Sequence, residues 1–150
     1  MLNIFLSRST PNLAKASLLP LRTFAIQTRF TKEHEWIKYD DETSEGQFGI
    51  TEYAQEELGD IVFIDLPFEG DKFEAGDAIG AVESVKTSAQ IYTPVNCEII
   101  GNNEEIEGTP EIVNQSPTDE GWITKIKIDN LDDTEKLLNE EEYKKYLETL

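Results

Sequence analysis

The sequence predicts a mainly β fold, a sandwich or a flattened barrel, with two short helices. Three observations support the β class. Short apolar and β-branched runs recur along the chain, turn residues separate them, and only two segments carry a helical pattern. Many short strands with regular turns are typical of sandwiches and barrels. The predicted strands cover residues 48–51, 61–66, 78–82, 89–95, 98–101 and 122–128.

The last predicted strand has the clearest alternation. Trp122, Thr124, Ile126 and Ile128 fall on one face, and Lys125 and Lys127 fall on the other. An alternation with a period of two indicates a strand with one buried face. Turn chemistry at residues 69–71, 75–77, 102–103 and 119–121 separates the strands.

A short helix is predicted near residues 52–58. Thr51 can accept a hydrogen bond as its N-cap, and Glu52 lies near the positive end of the helix dipole. Gly59 follows the last helical position, where glycine commonly ends a helix.

A second helix is predicted at the C-terminal end of the sequence. Asn139 and Glu142 have the spacing of a capping box. The apolar stripe that we expect to pack on the sheets consists of Tyr143, Tyr146, Leu147 and Leu150.

Composition limits the possible functions. The 150 residues include 13 Lys and Arg against 31 Asp and Glu, which gives a net charge of −18 and argues against nucleic-acid binding. A single cysteine, Cys97, and a single histidine, His34, exclude an internal disulfide and a Cys/His zinc site. We place no Ser/His/Asp triad and no phosphate-binding loop, and no two carboxylates stand out as a hydrolase pair.

The first 29 residues differ from the rest in charge. They contain four basic residues and no acidic one, whereas the remainder has 9 basic and 31 acidic residues. A basic, acid-free leader predicts a mitochondrial transit peptide over residues 1–24, a separate folded domain over residues 25–150 and a location in the mitochondrial matrix. A secretory signal and a simple N-terminal tail are the alternatives.

Residues 80–95 read as a hairpin. Two apolar segments meet through residues 83–88, so that Lys86 lies at the tip. An exposed, unpaired amine suits acylation by another enzyme, although an ordinary surface lysine has the same appearance.

Four segments resemble the glycine cleavage H-protein family, in order and at similar spacing. They are FTKEHEW at 30–36, GITEYAQEELGDIVFIDLP at 49–67, GAVESVKTSAQIYTPV at 80–95 and DEGWITKIKI at 119–128. The resemblance implies a lipoyl-domain-like flattened barrel or sandwich of two small antiparallel sheets, with a lipoyl-binding domain over residues 25–150. It also implies a non-catalytic carrier with lipoate covalently attached to Lys86. Glu83, Ser84 and Val85 would be the residues by which other proteins recognise the hairpin.

The same resemblance implies a set of partners. They are a glycine decarboxylase that uses pyridoxal phosphate, an aminomethyltransferase, dihydrolipoamide dehydrogenase and the enzymes that attach lipoate. It also implies a surface cleft for the loaded arm, for which Glu35 is the first candidate and Glu33 the second. We interpret the neighbouring His34 as a structural strand residue.

Other functions stay open at this point. The closest alternative is a relay protein that donates lipoate to 2-oxoacid dehydrogenases. A lipoyl domain of an acyltransferase, a biotin carrier and an unmodified acidic adaptor are weaker alternatives.

Overall fold

Two antiparallel sheets share one hydrophobic core in the computed structural model, which describes residues 25–150. The predicted transit peptide, residues 1–24, lies outside the described residues. The strands are β1 (Ile26–Phe30), β2 (Glu35–Asp40), β3 (Glu45–Ile50), β4 (Ile61–Asp65), β5 (Lys72–Phe73), β6 (Ala78–Ser84), β7 (Ser88–Tyr92), β8 (Cys97–Asn102) and β9 (Thr124–Ile128). The helices are α1 (Glu52–Leu58), α2 (Glu104–Gly108), α3 (Ile112–Gln115), a 3-10 helix (Leu131–Lys136) and α4 (Glu140–Glu148).

The sheets differ in size. Six strands form the larger sheet in the order β1-β2-β3-β9-β8-β5, and three form the smaller sheet in the order β4-β6-β7. The prediction of a mainly β fold with two antiparallel sheets is therefore confirmed. The arrangement is that of a sandwich with open sheets, because neither sheet closes into a barrel.

The alternation predicted for the last strand is confirmed from Thr124 onward, but the strand begins there, so Trp122 lies outside it and is only half-buried. In β9, Thr124, Ile126 and Ile128 are buried, whereas Lys125 and Lys127 are exposed. The buried face packs into a core that both sheets share, because Ile64 and Val82 of the smaller sheet belong to the same cluster of buried side chains. Burial of this apolar surface is the main force that holds the two sheets together.

The short helix α1 begins and ends where the sequence predicts. The Thr51 side chain accepts a hydrogen bond from the Ala54 backbone N–H, which satisfies one of the free donors at the helix start. Gly59 ends the helix with φ +80°, a conformation that glycine adopts without a steric penalty, and its N–H donates to the Gln55 carbonyl.

The predicted capping box of α4 is confirmed, since Asn139 and Glu142 exchange both hydrogen bonds. Tyr143 is buried and stacks on Phe30, with ring centroids 4.6 Å apart. Leu150 at the end of the predicted stripe is 61% exposed, so the stripe packs on the sheets only in its first part.

The first two strands have no clear signal in the sequence. Strands β1 and β2 pair in register from Ile26 opposite Asp40 to Phe30 opposite Trp36. Glu35, Trp36 and Ile37 are buried consecutively at the start of β2. A strand covered on both faces loses the alternation on which sequence interpretation depends.

The interpretation of His34 as a strand residue is wrong. His34 has φ +69° and lies in the tight turn before β2, where its N–H donates to the Thr31 carbonyl. Its ring packs on Tyr53 of α1 at 4.2 Å, and its Nδ1 lies 2.9 Å from the Tyr143 hydroxyl of α4. The side chain therefore joins two helices instead of extending a strand.

No helix in the described part of the chain is long and apolar enough to cross a membrane.

Candidate functional site

Lys86 lies at the tip of the β6–β7 hairpin, as predicted. Strand β6 ends at Ser84 and strand β7 begins at Ser88, and Lys86 is exposed in the turn between them. Within residues 25–150, neither ion pair involves its ammonium group. The amine is therefore open to another molecule.

Ser84 holds the turn in shape. Its hydroxyl accepts hydrogen bonds from the backbone N–H groups of Lys86 and Thr87, each at 3.1 Å. Its own backbone N–H donates to the Thr87 carbonyl at 2.7 Å. Short polar side chains commonly stabilise turns in this way, and here the result is a hydrogen-bonded backbone beneath an exposed side chain.

The loop between α1 and β4 supports the hairpin tip from one side. The Val85 N–H donates to the Asp60 carbonyl at 3.0 Å. The stem of Lys86 passes over Gly59, where an added Cβ would lie 3.1 Å from the lysine Cε. The sequence reasoning treated Gly59 only as the end of a helix and missed this contact.

A cavity of about 510 Å³ opens beyond the other end of β7. Both predicted cleft residues, Glu35 and Glu33, line it. The lining also includes Phe30, Thr31, Lys32, Gly76, Tyr92, Thr93, Pro94, Lys136, Leu137 and Leu138. The cavity thus combines an apolar wall with charges of both signs.

Glu35 is the buried charged group of this cavity, with only 4% of its surface exposed. Its Oε1 accepts a 2.7 Å hydrogen bond from the Tyr92 backbone N–H, and its Oε2 accepts a 3.3 Å bond from the Thr31 hydroxyl. Glu35 belongs to the larger sheet and Tyr92 to the smaller one. The carboxyl therefore joins the two sheets at the cavity wall.

Burial raises the pKa of Glu35 to about 7, because removal from water penalises the charged form. The hydrogen bonds from Tyr92 and Thr31 oppose this rise, and the nearby Glu33 adds a little to it. At neutral pH the carboxyl therefore exists in both protonation states. A cation in the cavity would lower the pKa of Glu35 and so favour its carboxylate form.

The structure separates Lys86 from the two cleft residues. Tyr92, which contacts Glu35, lies at the end of β7 away from the turn that holds Lys86, and the five residues of β7 span about 13 Å at the usual rise per residue. Glu33 is exposed at the cavity rim, and Glu83 is exposed on β6 near the tip. The predicted residues thus form a tip and a cleft at opposite ends of β7.

Several cavity residues were missing from the sequence prediction. Thr31 and Tyr92 hold the Glu35 carboxyl, and Lys136 comes from the 3-10 helix. Thr31 could have been found, since it precedes Glu35 by four residues across a turn. The Tyr92 contact spans 57 positions in the sequence and has no local signal.

We expect Glu35→Gln to stabilise the fold at alkaline pH. The pKa of Glu35 lies near 7 in the folded state against 4.5 for the unperturbed group. The folded state therefore binds more protons between these values and loses stability as pH rises through them. The uncharged glutamine avoids this loss, and its amide can still accept from Tyr92 and donate to Thr31.

The free energy of unfolding measured in urea should rise in this variant by about 2–3 kcal/mol at pH 8 and by about 1 kcal/mol at pH 5.5. Glu33→Gln is the matched control, because it removes the same charge from an exposed neighbour and should change stability by less than about 0.5 kcal/mol. An equal gain at both pH values would contradict the assigned pKa.

Comparison with known proteins gives a consistent result. The family model described as "Glycine cleavage H-protein" matches residues 28–150. The glycine cleavage system H protein of Carboxydothermus hydrogenoformans is 46% identical over 120 residues, which cover 80% of this chain and 91% of the relative. That of Staphylococcus saprophyticus is 44% identical over 117 residues, which cover 78% and 91%.

A solved structure agrees with these sequence matches. The crystal structure of a glycine cleavage system H protein from Mycobacterium marinum superposes with a TM-score of 0.73 at 30% identity, and the match covers 83% of this chain and 98% of that one. The sequence and the fold lead to the same conclusion: this chain belongs to the glycine cleavage H-protein family.

Proposed function

We propose that this chain is the lipoyl-lysine carrier of the glycine cleavage system, with lipoate attached to Lys86. The observation that carries the proposal is the exposed lysine on a rigid hairpin tip in a member of this family. The chain catalyses no step itself. It shuttles the aminomethyl group derived from glycine from the decarboxylase to the aminomethyltransferase, and presents its dithiol to dihydrolipoamide dehydrogenase.

The residues around Lys86 fit a covalently attached group. Ser84 and Asp60 fix the backbone of the tip, whereas the ammonium group stays exposed. Lipoate, once bound through an amide, supplies a redox-active sulfur pair at the end of a flexible chain. A tethered group reaches successive active sites at a high effective concentration, so a carrier needs a firm base and a mobile arm.

The cavity at the far end of β7 fits the loaded end of the arm. An aminomethyl amine is cationic, and a buried carboxylate attracts a cation more strongly than an exposed one because water screens it less. Glu35 supplies that carboxylate, and Glu33 adds a second one at the rim. The apolar wall of Phe30, Leu137 and Leu138 limits access of water to the same space.

We expect Lys86→Arg to abolish glycine-dependent turnover in a reconstituted system. Arginine keeps the positive charge at an exposed position, so stability should change by less than about 0.5 kcal/mol. Intact mass measured after incubation with a lipoate-attaching enzyme should show one lipoyl group on the wild type and none on the variant. Lys127→Arg, at an exposed position of β9, is the matched control and should remain modified and active. Full turnover with Lys86→Arg would refute the proposed function.

We expect Glu35→Gln to release the carried one-carbon unit faster into water. Hydrolysis of an aminomethyl thioether by water yields the thiol, formaldehyde and ammonia. Loss of the carboxylate removes about 1 kcal/mol of attraction for the amine, which corresponds to a rise of about fivefold in the formaldehyde release rate. Glu33→Gln should have a smaller effect. An unchanged release rate in Glu35→Gln would contradict the proposed binding of the loaded arm in the cavity.

We also propose that the protein acts in the mitochondrial matrix after removal of residues 1–24. The support is the charge difference between a basic, acid-free leader and a body whose net charge is −21 after cleavage behind Phe24.

We expect isolated mitochondria to import the full chain and process it near Phe24, as N-terminal sequencing would show. A variant with Arg8, Lys15 and Arg22 changed to Gln should stay outside. Import of both forms, or of neither, would contradict this location.

A further inference from the structure

Two consecutive apolar side chains are exposed on β4, which is an edge strand of the smaller sheet. Val62 is 53% and Phe63 is 52% exposed. Side chains of a regular strand alternate between its faces, but the pairing with β6 slips between Ile61 and Phe63, so that Val62 is an extra residue. The β-bulge thus turns two neighbouring apolar groups toward solvent, at the cost of regular pairing.

These side chains lie beside the hairpin tip. Phe63 pairs with Glu83 and Ile61 pairs with Ser84, which are the last two residues of β6 before the turn. Val85 in the turn is 66% exposed, and its backbone bonds to Asp60 immediately before β4. We name Val62, Phe63 and Val85 the tip patch.

Carboxylates surround the tip patch. Asp60 and Asp65 flank the exposed part of β4, and Glu83 stands directly across from Phe63, all three of them exposed. A group of neighbouring exposed apolar side chains with a charged rim is typical of a protein interaction site. The complementary surface is an apolar centre ringed by basic side chains.

We propose that the tip patch is the docking surface for the enzyme that attaches lipoate to Lys86, an inference that rests on the proposed function. Attachment requires the Lys86 Nζ itself to enter an active site, so the attaching enzyme must touch the surface around the base of this lysine. The other partners act on the sulfur pair at the far end of the arm and not on the lysine nitrogen itself. Of the partners, the attaching enzyme therefore fits a patch at this position.

The attachment step requires the Lys86 Nζ and the acyl carbon of an activated lipoyl donor to meet in one active site. The Nζ loses a proton and attacks the acyl carbon of an activated lipoyl donor. One N–C bond forms as the bond to the leaving group breaks, and the leaving group takes the electron pair without any change of oxidation state. The tip patch acts before this step, because it sets how often the lysine is correctly placed. Its loss should raise KM more than it lowers kcat.

The test uses the full, unmodified chain with a purified lipoate ligase, lipoate and ATP, and follows modification by intact mass. We expect Phe63→Ser and Val85→Ser each to raise the KM for the chain at least tenfold. The matched control is Phe68→Ser, since Phe68 is 78% exposed but follows β4 at the end away from the tip. It should change KM less than twofold, and Glu83→Lys should raise KM by reversing the rim charge.

Each outcome has one meaning. Thermal unfolding of the variants shows that they are folded, and if Phe63→Ser unfolds, Val85→Ser decides alone. The proposed docking surface is wrong if the wild type is fully modified and the folded variants Phe63→Ser and Val85→Ser have KM values within twofold of that of Phe68→Ser. That result would leave the proposed function intact. A wild type that is not modified at Lys86 overturns both.

Discussion

The hydrogen bond from the Tyr92 backbone to the buried Glu35 carboxyl connects the architecture of this protein to its chemistry. It joins an edge strand of the smaller sheet to a strand of the larger one, at the wall of the main cavity. The carboxyl gives this N–H of an edge strand a partner at a partly buried position, where an unpaired donor would be costly. The same burial that makes the bond valuable raises the pKa of Glu35 to about 7.

Strand β7 therefore has two ends with opposite properties. At one end, Lys86 is exposed on a turn that Ser84 and Asp60 fix in place. At the other, Glu35 is buried in a cavity with apolar walls. A carrier needs both, because a group that travels between enzymes must be free to leave the surface and be shielded from water while it travels. The five residues of the strand set a separation of about 13 Å between its two ends.

The surface of the molecule follows a related principle. The body is strongly acidic, and the cavity and the tip patch are places where apolar groups or mixed charges interrupt the carboxylates. Long-range attraction by a charged surface speeds encounters with basic partners without a large apolar interface. Short-range apolar contact at the tip patch then supplies the fit that charge alone lacks.

Features that depend on neighbouring residues were predictable from the sequence alone. Thr51 and Asn139 cap their helices, β9 alternates, and the hairpin presents Lys86, since each follows from local hydrogen bonding or a short repeat. Membership of the family followed from four segments with matching spacing. His34 shows the limit of local reasoning, because a left-handed backbone before β2 carries no reliable mark in the sequence.

Features that depend on contacts between distant residues became visible only in the folded structure. Consecutive burial at the start of β2 hides the strand from any periodic pattern, and the bulge at Val62 exists only because β4 pairs with β6. The protonation of Glu35 depends on Tyr92, which is 57 positions away, and on burial between two sheets. Sequence similarity marked Glu35 as a candidate, but only the packing of the sheets determines how a carboxyl there behaves, because desolvation is a property of the whole fold.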